Sequence, residues 1–240
     1  MGKEETSLGK YLLQLKDCEL TQEMNSKSSE SFFSLFHEEI WPKNSCILNQ
    51  EKLFYHFYII LSGRIKMYQV DAIHGKELTL FLLTKNDVFD LSCLLDGCKH
   101  NVYYECLDDA KVLAAPMEDL RNWFKDNPEH YQKILMYAGK QLRVLENFVS
   151  DITFSDIFTR LLNLLLKNVN QNSKNLELIN DLPNKEIANL IGSTRAVVNR
   201  HLQKLKQNGS LKISRKKMEI KNLKILIRLL EDKKHTSYKS

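Results

Sequence analysis

Between Trp41 and about Leu120, apolar residues come in short runs rich in β-branched and aromatic side chains: HFYIILSG, RIKMYQV, ELTLFLL, NVYYECL and AKVLAAP. Turn-forming stretches such as HGK and KND separate them, which predicts strands. Several short strands at this spacing predict a sandwich, barrel or roll. The polar residues 1–30, with scattered Leu8, Tyr11, Leu12 and Leu15, predict short helices and a Ser-rich loop over Asn25–Ser31. From Pro128 the period changes. Leu135, Ala138, Leu142, Leu145, Val149 and Ile152 recur at intervals of 3, 4, 3, 4 and 3, an apolar seam of period 3.5. At 1.5 Å per residue this seam is roughly 27 Å long. It predicts a dimerisation helix with two-fold symmetry; packing on the chain's own sheet is the alternative, with Tyr131, Ile134 and Phe148 widening the stripe. The next run, TFSDIFTRLLNLLLKN (153–168), is apolar nearly all round, with Thr153 as expected cap and Asp156 three residues on. It predicts the buried first helix of a second domain.

The segment LPNKEIANLIGSTRAVVNRHLQKLKQNGSL (182–211) carries the clearest chemistry. Ile187, Ala188, Leu190 and Ile191 form the apolar face of a short helix, and Gly192 sits where a helix-turn-helix bends. Ser193 or Thr194 can cap a second helix with Val197, Val198, Leu202 and Leu205 inward and Asn208-Gly209 closing it. Its outer face carries Thr194, Arg195, Ala196, Asn199 and Arg200, then Lys204, and Ser193 is expected with them among the DNA-binding residues. Arginine there can read guanine in the major groove, and asparagine adenine. LKISRKKMEIKN then alternates as a hairpin with Arg215, Lys216 and Lys217 at its tip, a wing suited to phosphate. His201 falls where an apolar residue is common.

Charge sharpens this division. From Asp181 onward there are 15 Lys/Arg against 5 Asp/Glu, so net +5 overall divides into about −5 for the first 180 residues and +10 for the rest. A basic second domain points to a polyanion. Five cysteines without framework spacing suit a reducing cytoplasm. No apolar run suggests a membrane helix or signal peptide, so no membrane partner is expected.

In this order the parts resemble the CRP/FNR superfamily of bacterial transcription regulators, the cyclic-AMP receptor protein and its relatives. FYIILSGRIKMYQVDAIHGKELTLFLLTKNDVFD is similar to its β-roll, with Gly63 and the Gly75–Glu77 turn; the seam is similar to its dimerisation helix, and IGSTRAVVNRHLQKL to its recognition motif. The resemblance implies an α+β chain: a β-roll sensor domain with N-terminal helices (1–127), a dimerisation helix (128–152) and a winged helix-turn-helix (153–240). It implies a homodimer on double-stranded DNA at a pseudo-palindromic operator, activating or repressing, with RNA polymerase as a further partner. The family's Arg-Glu opening of the recognition helix becomes Arg195-Ala196 here, with Arg200 kept, so a different half-site is expected.

Cyclic-nucleotide binders of this family carry Gly-Glu and, about ten residues on, Arg-Ser. This chain has Asp90-Leu91 and Asn101-Val102. Leucine cannot bond a ribose hydroxyl, and a buried phosphate would lack its arginine; Lys99 is read as a solvent-facing turn residue. A signal other than cyclic AMP is therefore expected, with a cyclic-nucleotide-responsive or constitutively active regulator as alternatives. Family members with an iron–sulfur cluster have a tight N-terminal cysteine group, whereas the first 40 residues here contain Cys18 alone. Haem, a redox or nitric-oxide-linked thiol switch, another small ligand or no ligand remain open. The expected effector pocket comprises Leu91, Cys93, Cys98, His100, Asn101, Val102 and Tyr137.

FDLSCLLDGCKHNVYYEC (89–106) otherwise reads as buried strand, with Tyr104 and Cys106 placed on opposite faces. Its Cys93, Cys98, His100 and Cys106 match zinc spacing weakly, and a thiol or metal enzyme centred on 93–106 is the rival of a different class. No phosphate loop, nucleophile elbow or carboxylate pair supports it, so no catalytic or metal site is expected. A sequence-tolerant DNA-compacting protein is the third reading.

Overall fold

The computed structural model describes residues 11–237 except 12–13, 16, 23, 48–53, 100, 171–172, 174 and 215–216, and of 234–237 the backbone alone. The chain divides into two compact units: Met1–Gln69 with Phe81–Leu145, and Val70–Leu80 with Glu146–Ser240.

In the first unit, α1 (Ser26–Phe33) opens with Asn25 as N-cap, its side chain accepting from the Ser28 N–H at 2.9 Å. Capping by Asn25 explains why this stretch is helix and not the expected Ser-rich loop. The strands β1 (His37–Trp41), β2 (Cys46–Ile47), β3 (His56–Ser62), β4 (Ile65–Val70), β5 (Glu77–Leu83) and β6 (Val88–Phe89) follow. Then come α2 (Leu91–Asp96), β7 (Tyr103–Cys106), β8 (Ala110–Pro116) and α3 (Met117–Asp126). Two four-stranded sheets, ordered β1-β8-β3-β6 and β2-β7-β4-β5, form the roll. Within it FYIIL (57–61) is continuously apolar because both faces of β3 are covered there. Phe57, Ile59 and Leu61 join a core with Phe32, Phe33, Trp123 and Phe124. Tyr58, on the other face, stacks on Phe89 at 4.7 Å between ring centroids.

Gly63, between β3 and β4, has φ +90°, and a Cβ there would lie 2.8 Å from the Ala110 Cα and the Asp109 carbonyl oxygen. Both obstacles are backbone and cannot swing aside. Gly63→Ala is therefore expected to destabilise the protein by about 1–3 kcal/mol. A calorimetric Tm equal to that of the unsubstituted protein would contradict this.

Phe89–Cys106 is not one buried strand. Asp90 (φ 62°) and Gly97 (φ 69°) hold left-handed backbone on either side of α2, which turns LSCLLD into a helix. Tyr104 and Cys106, two residues apart, share the buried face of β7, correcting their expected placement on opposite faces.

Pro128–His130 forms one 3₁₀ turn before α4, Tyr131–Phe154. The next helix, α5 (Ile157–Lys167), is capped by Asp156 and not Thr153, which lies inside α4. The Asp156 carboxylate accepts from the Thr159 N–H at 2.8 Å. Burial raises its pKa, but Lys233 and the Thr159 N–H outweigh burial and bring it to about 2.

The second unit continues through α6 (Asn184–Leu190), α7 (Arg195–Gln207), β9 (Leu211–Ser214), β10 (Lys217–Ile220) and α8 (Leu223–Ser237). Its core includes Leu161, Leu165, Ile179, Ile187, Ala188, Val198, Leu202, Leu205 and Leu226.

Candidate nucleic-acid interface and ligand cavity

The turn between α6 and α7 fixes what α7 presents. Gly192 takes φ +62°, and the Ser193 N–H donates to the Ala188 carbonyl at 2.9 Å. A Cβ on Gly192 would also lie 2.7 Å from the Ile152 Cδ1, a side-chain end that would have to shift, so it is the positive φ that calls for glycine at the bend. Thr194 is the N-cap of α7, its hydroxyl accepting from the Val197 N–H at 3.4 Å. With Val198, Leu202 and Leu205 buried, helical spacing turns Thr194, Arg195, Ala196, Asn199, Arg200 and Lys204 outward, and all six are exposed. Asn199 accepts from the Asn184 side chain at 3.3 Å, tying α7 to the start of α6. Ser193 departs from the expectation: it is 8% exposed and lies within the turn, turned from the outer face. His201 packs its ring 5.1 Å from Phe158. Burial, then the Arg200 and Lys204 charges, lower its pKa, so the neutral imidazole serves as the apolar residue expected there.

β9 and β10 pair antiparallel with Lys217 opposite Ser214, forming the two strands of the wing. Lys217 is half-exposed and sits 2.7 Å from Glu219. Arg215 and Lys216 lie outside the described residues. A groove of about 540 Å³ runs between the helix-turn-helix and the wing, with Asn184, Lys185, Arg195, Ser214 and Lys217 on its walls. Lys185, in the first turn of α6, was not among the residues expected at this face. Its ammonium lies 3.1 Å from Glu77, which also accepts from the Asn189 side chain at 2.8 Å.

On α4, Ile134 and Tyr137 are buried, while Leu135, Leu142 and Val149 are each at least 60% exposed. Ala138, Leu145 and Ile152 are half-buried between them. The period-3.5 seam is thus apolar along its length, and the described residues leave Leu135, Leu142 and Val149 on it uncovered.

The first unit holds a cavity of about 290 Å³. Its floor is buried (Leu83, Val88, Phe89, Asp90 and Tyr104), and its mouth carries exposed Ser92, Leu95, Asp96 and Leu142. The Tyr104 hydroxyl donates to Asp90 at 3.2 Å. Burial, then the Asp90 charge, push Tyr104 well above its ordinary pKa, so it stays a donor. Of the residues expected at a pocket, Leu91 lines this cavity. Cys93, Cys98, Asn101, Val102 and Tyr137 lie off its lining, and His100 is outside the described residues. The Cys93 thiol donates to the Cys98 carbonyl at 3.1 Å and the Cys98 thiol to the Asp96 carbonyl at 3.6 Å. Tyr137 instead accepts from the Val88 N–H at 3.2 Å and reaches Asp87 at 3.4 Å. Burial raises the pKa of Cys106 and of Cys18, keeping both as thiols. Among the described residues no three His, Cys, Asp or Glu side chains gather as metal ligands, and no helix is long and apolar enough to cross a membrane.

A β-roll followed by a long helix and a winged helix-turn-helix defines a DNA-binding transcription regulator. The family description "Cyclic nucleotide-binding domain" matches residues 38–127, and "Crp-like helix-turn-helix domain" matches 159–229. The chain is 30% identical over 171 residues to the "Global nitrogen regulator" of Nostoc sp., covering 68% of this chain and 75% of that protein. It is 27% identical over 175 residues to the "CRP-like cAMP-activated global transcriptional regulator" of Mycobacterium tuberculosis, covering 71% and 78%. The structure of the c-di-GMP responsive global regulator CLP of Xanthomonas campestris shares the fold, with a TM-score of 0.70 at 17% identity over 82% of this chain and 100% of that one. A CRP/FNR-family regulator from Eubacterium rectale does so with a TM-score of 0.69 at 22% identity, covering 87% and 95%. The chain belongs to the CRP/FNR superfamily; it is a transcription regulator and not an enzyme.

Proposed function

We propose that this regulator binds a pseudo-palindromic duplex site as a homodimer, under control of a signal other than cyclic AMP taken up in the cavity of its first unit. The observation that carries this reading is the outer face of α7, where Arg195, Asn199 and Arg200 stand exposed on a helix whose other face is core. Such a face can enter a major groove and pair with base edges. The exposed Leu135, Leu142 and Val149 on α4 support dimerisation, since exposed large apolar side chains in a row favour a partner. Double-stranded DNA, a second copy of the chain and RNA polymerase are then its partners, and the cytoplasm its place of work.

Two sequence positions and the make-up of the cavity lining speak against cyclic AMP. Asp90-Leu91 stands for the Gly-Glu of the family's nucleotide binders, Asn101-Val102 stands for their Arg-Ser, and no Lys or Arg occurs among the described lining residues. A phosphate buried there would lack a cation. The described lining also has no histidine or cysteine, so it offers haem iron neither imidazole nor thiolate.

Selection from a pool of randomised duplexes is expected to enrich two inverted half-sites about 10 base pairs apart. A pool without an enriched motif would instead support a sequence-tolerant compacting protein. Added cyclic AMP is expected to leave affinity for the selected site unchanged, and a nucleotide-dependent rise contradicts the assignment of the signal. Lys217→Ala is expected to weaken binding to all duplexes alike, lowering the slope of log affinity against log salt by about one per lost phosphate contact. A loss confined to the selected site would give Lys217 a base-reading role.

A further inference from the structure

We propose that Lys185 is a DNA phosphate contact, and that Glu77 competes with phosphate for its ammonium and so restrains DNA binding. This rests on the reading of α7 and the wing as the DNA-facing side, and adds to it one residue and a brake on that residue.

The donors around Glu77 are those that hold an anion. One carboxylate oxygen lies 3.1 Å from the Lys185 ammonium, and the other accepts from the Asn189 amide at 2.8 Å. Lys185 and Asn189 are four residues apart on α6, hence on one face of that helix. The three side chains are held unequally. Asn189 is 7% exposed and fixes the carboxylate, whereas the side chain of Lys185 is 62% exposed and that of Glu77 23%. Lysine carries its charge on a flexible four-carbon stem, so the ammonium can leave while the carboxylate stays. Leu78, the next residue of β5, gives the strand a second hold: its Cδ1 lies 3.4 Å from the position a Cβ on Gly192 would take. The same lysine borders the groove between the helix-turn-helix and the wing. Among the described lining residues that groove sets three cations, Lys185, Arg195 and Lys217, against one carboxylate, Asp181. An excess of cations along a groove draws phosphate. A solvent-exposed ion pair is weak, and a phosphate contact gains from the counterions it releases, so DNA can displace Glu77.

The test is fluorescence anisotropy of the full-length protein with selected and scrambled duplexes at one salt concentration, using Glu77→Gln, Lys185→Ala and the double variant. Glutamine keeps an acceptor for the buried Asn189 amide and removes the charge that holds Lys185. Glu77→Gln is expected to raise affinity for both duplexes, by about two- to fivefold per copy. Placed on Lys185→Ala, the same change is expected to have no effect, because no ammonium remains to release. Unchanged or weaker binding by Glu77→Gln overturns the brake. A gain that persists without Lys185 overturns it too, since Glu77 then acts only as a negative charge repelling DNA. Should a variant fold poorly, acetylation of the unsubstituted protein by acetic anhydride, read by mass spectrometry, supplies a second measurement. Duplex is expected to protect Lys185, and equal labelling with and without duplex overturns the phosphate contact. A selected-to-scrambled ratio near one, with the Lys185-dependent gain present, overturns base reading by α7 and leaves the Lys185 contact standing. A high ratio without that gain overturns the Lys185 contact and its brake alone.

Discussion

Arg195→Ala is expected to abolish selective binding, costing about 1–3 kcal/mol for each half-site of the preferred duplex. Arg195 is the first residue of α7 and is exposed, immediately after the Thr194 cap. From that position a guanidinium can donate two parallel hydrogen bonds to the O6 and N7 of guanine. Alanine keeps the helix, since it is the best helix former and the cap belongs to Thr194. The core contacts of Ile187, Ala188, Val198 and Leu202 are untouched. Non-specific affinity should fall only by the loss of one cation per copy, so the ratio of specific to non-specific binding collapses. Fluorescence anisotropy with selected and scrambled duplexes measures both terms. A ratio that survives the substitution would assign base reading elsewhere, first to Asn199 and Arg200.

Leu135→Glu is expected to give a folded monomer. Leu135 is 60% exposed in the single chain, so the change removes little internal packing, and glutamate is a good helix former. In a two-fold dimer through the seam, each substitution would appear twice and bring two carboxylates into an apolar contact. Burying charge without a partner costs several kcal/mol. Light scattering after gel filtration reads the mass directly, and circular dichroism checks that the helices remain. The monomer should also lose most of its affinity for a two-half-site duplex, because each copy then binds alone. A persistent dimer would mean that α4 packs its stripe in some other way.

The helix-turn-helix was the most legible part of the chain because its signals are local. The Gly192 bend, the Thr194 cap and the Asn208-Gly209 close all lie within a few residues of what they control, and the structure shows each in that role. The seam was legible for the same reason: a period of 3.5 depends on nothing outside the helix. What misled was local chemistry with more than one solution. Thr153 read as the cap with Asp156 as its partner three residues on, and the aspartate took the role because α4 runs on through Phe154. The stretch after Phe89 read as strand because its residues are apolar, whereas Asp90, an aspartate in left-handed backbone, starts a helix there. Of the cavity, sequence reasoning reached Leu91 alone. Its walls come from β4, β5, β6, α2, β7 and α4, so residues as distant as Met67 and Leu145 meet through topology alone. Cys93 and Cys98 drew attention as chemical residues, yet both thiols point at carbonyl oxygens beside α2.

The most direct test is the affinity of the protein for its selected duplex relative to the same duplex with both half-sites scrambled, at one fixed salt concentration near physiological. A sequence-specific regulator reading bases through Arg195, Asn199 and Arg200 should show a ratio on the order of 10³ or more. A ratio near one would contradict base reading by α7 and leave a protein that holds DNA by charge alone.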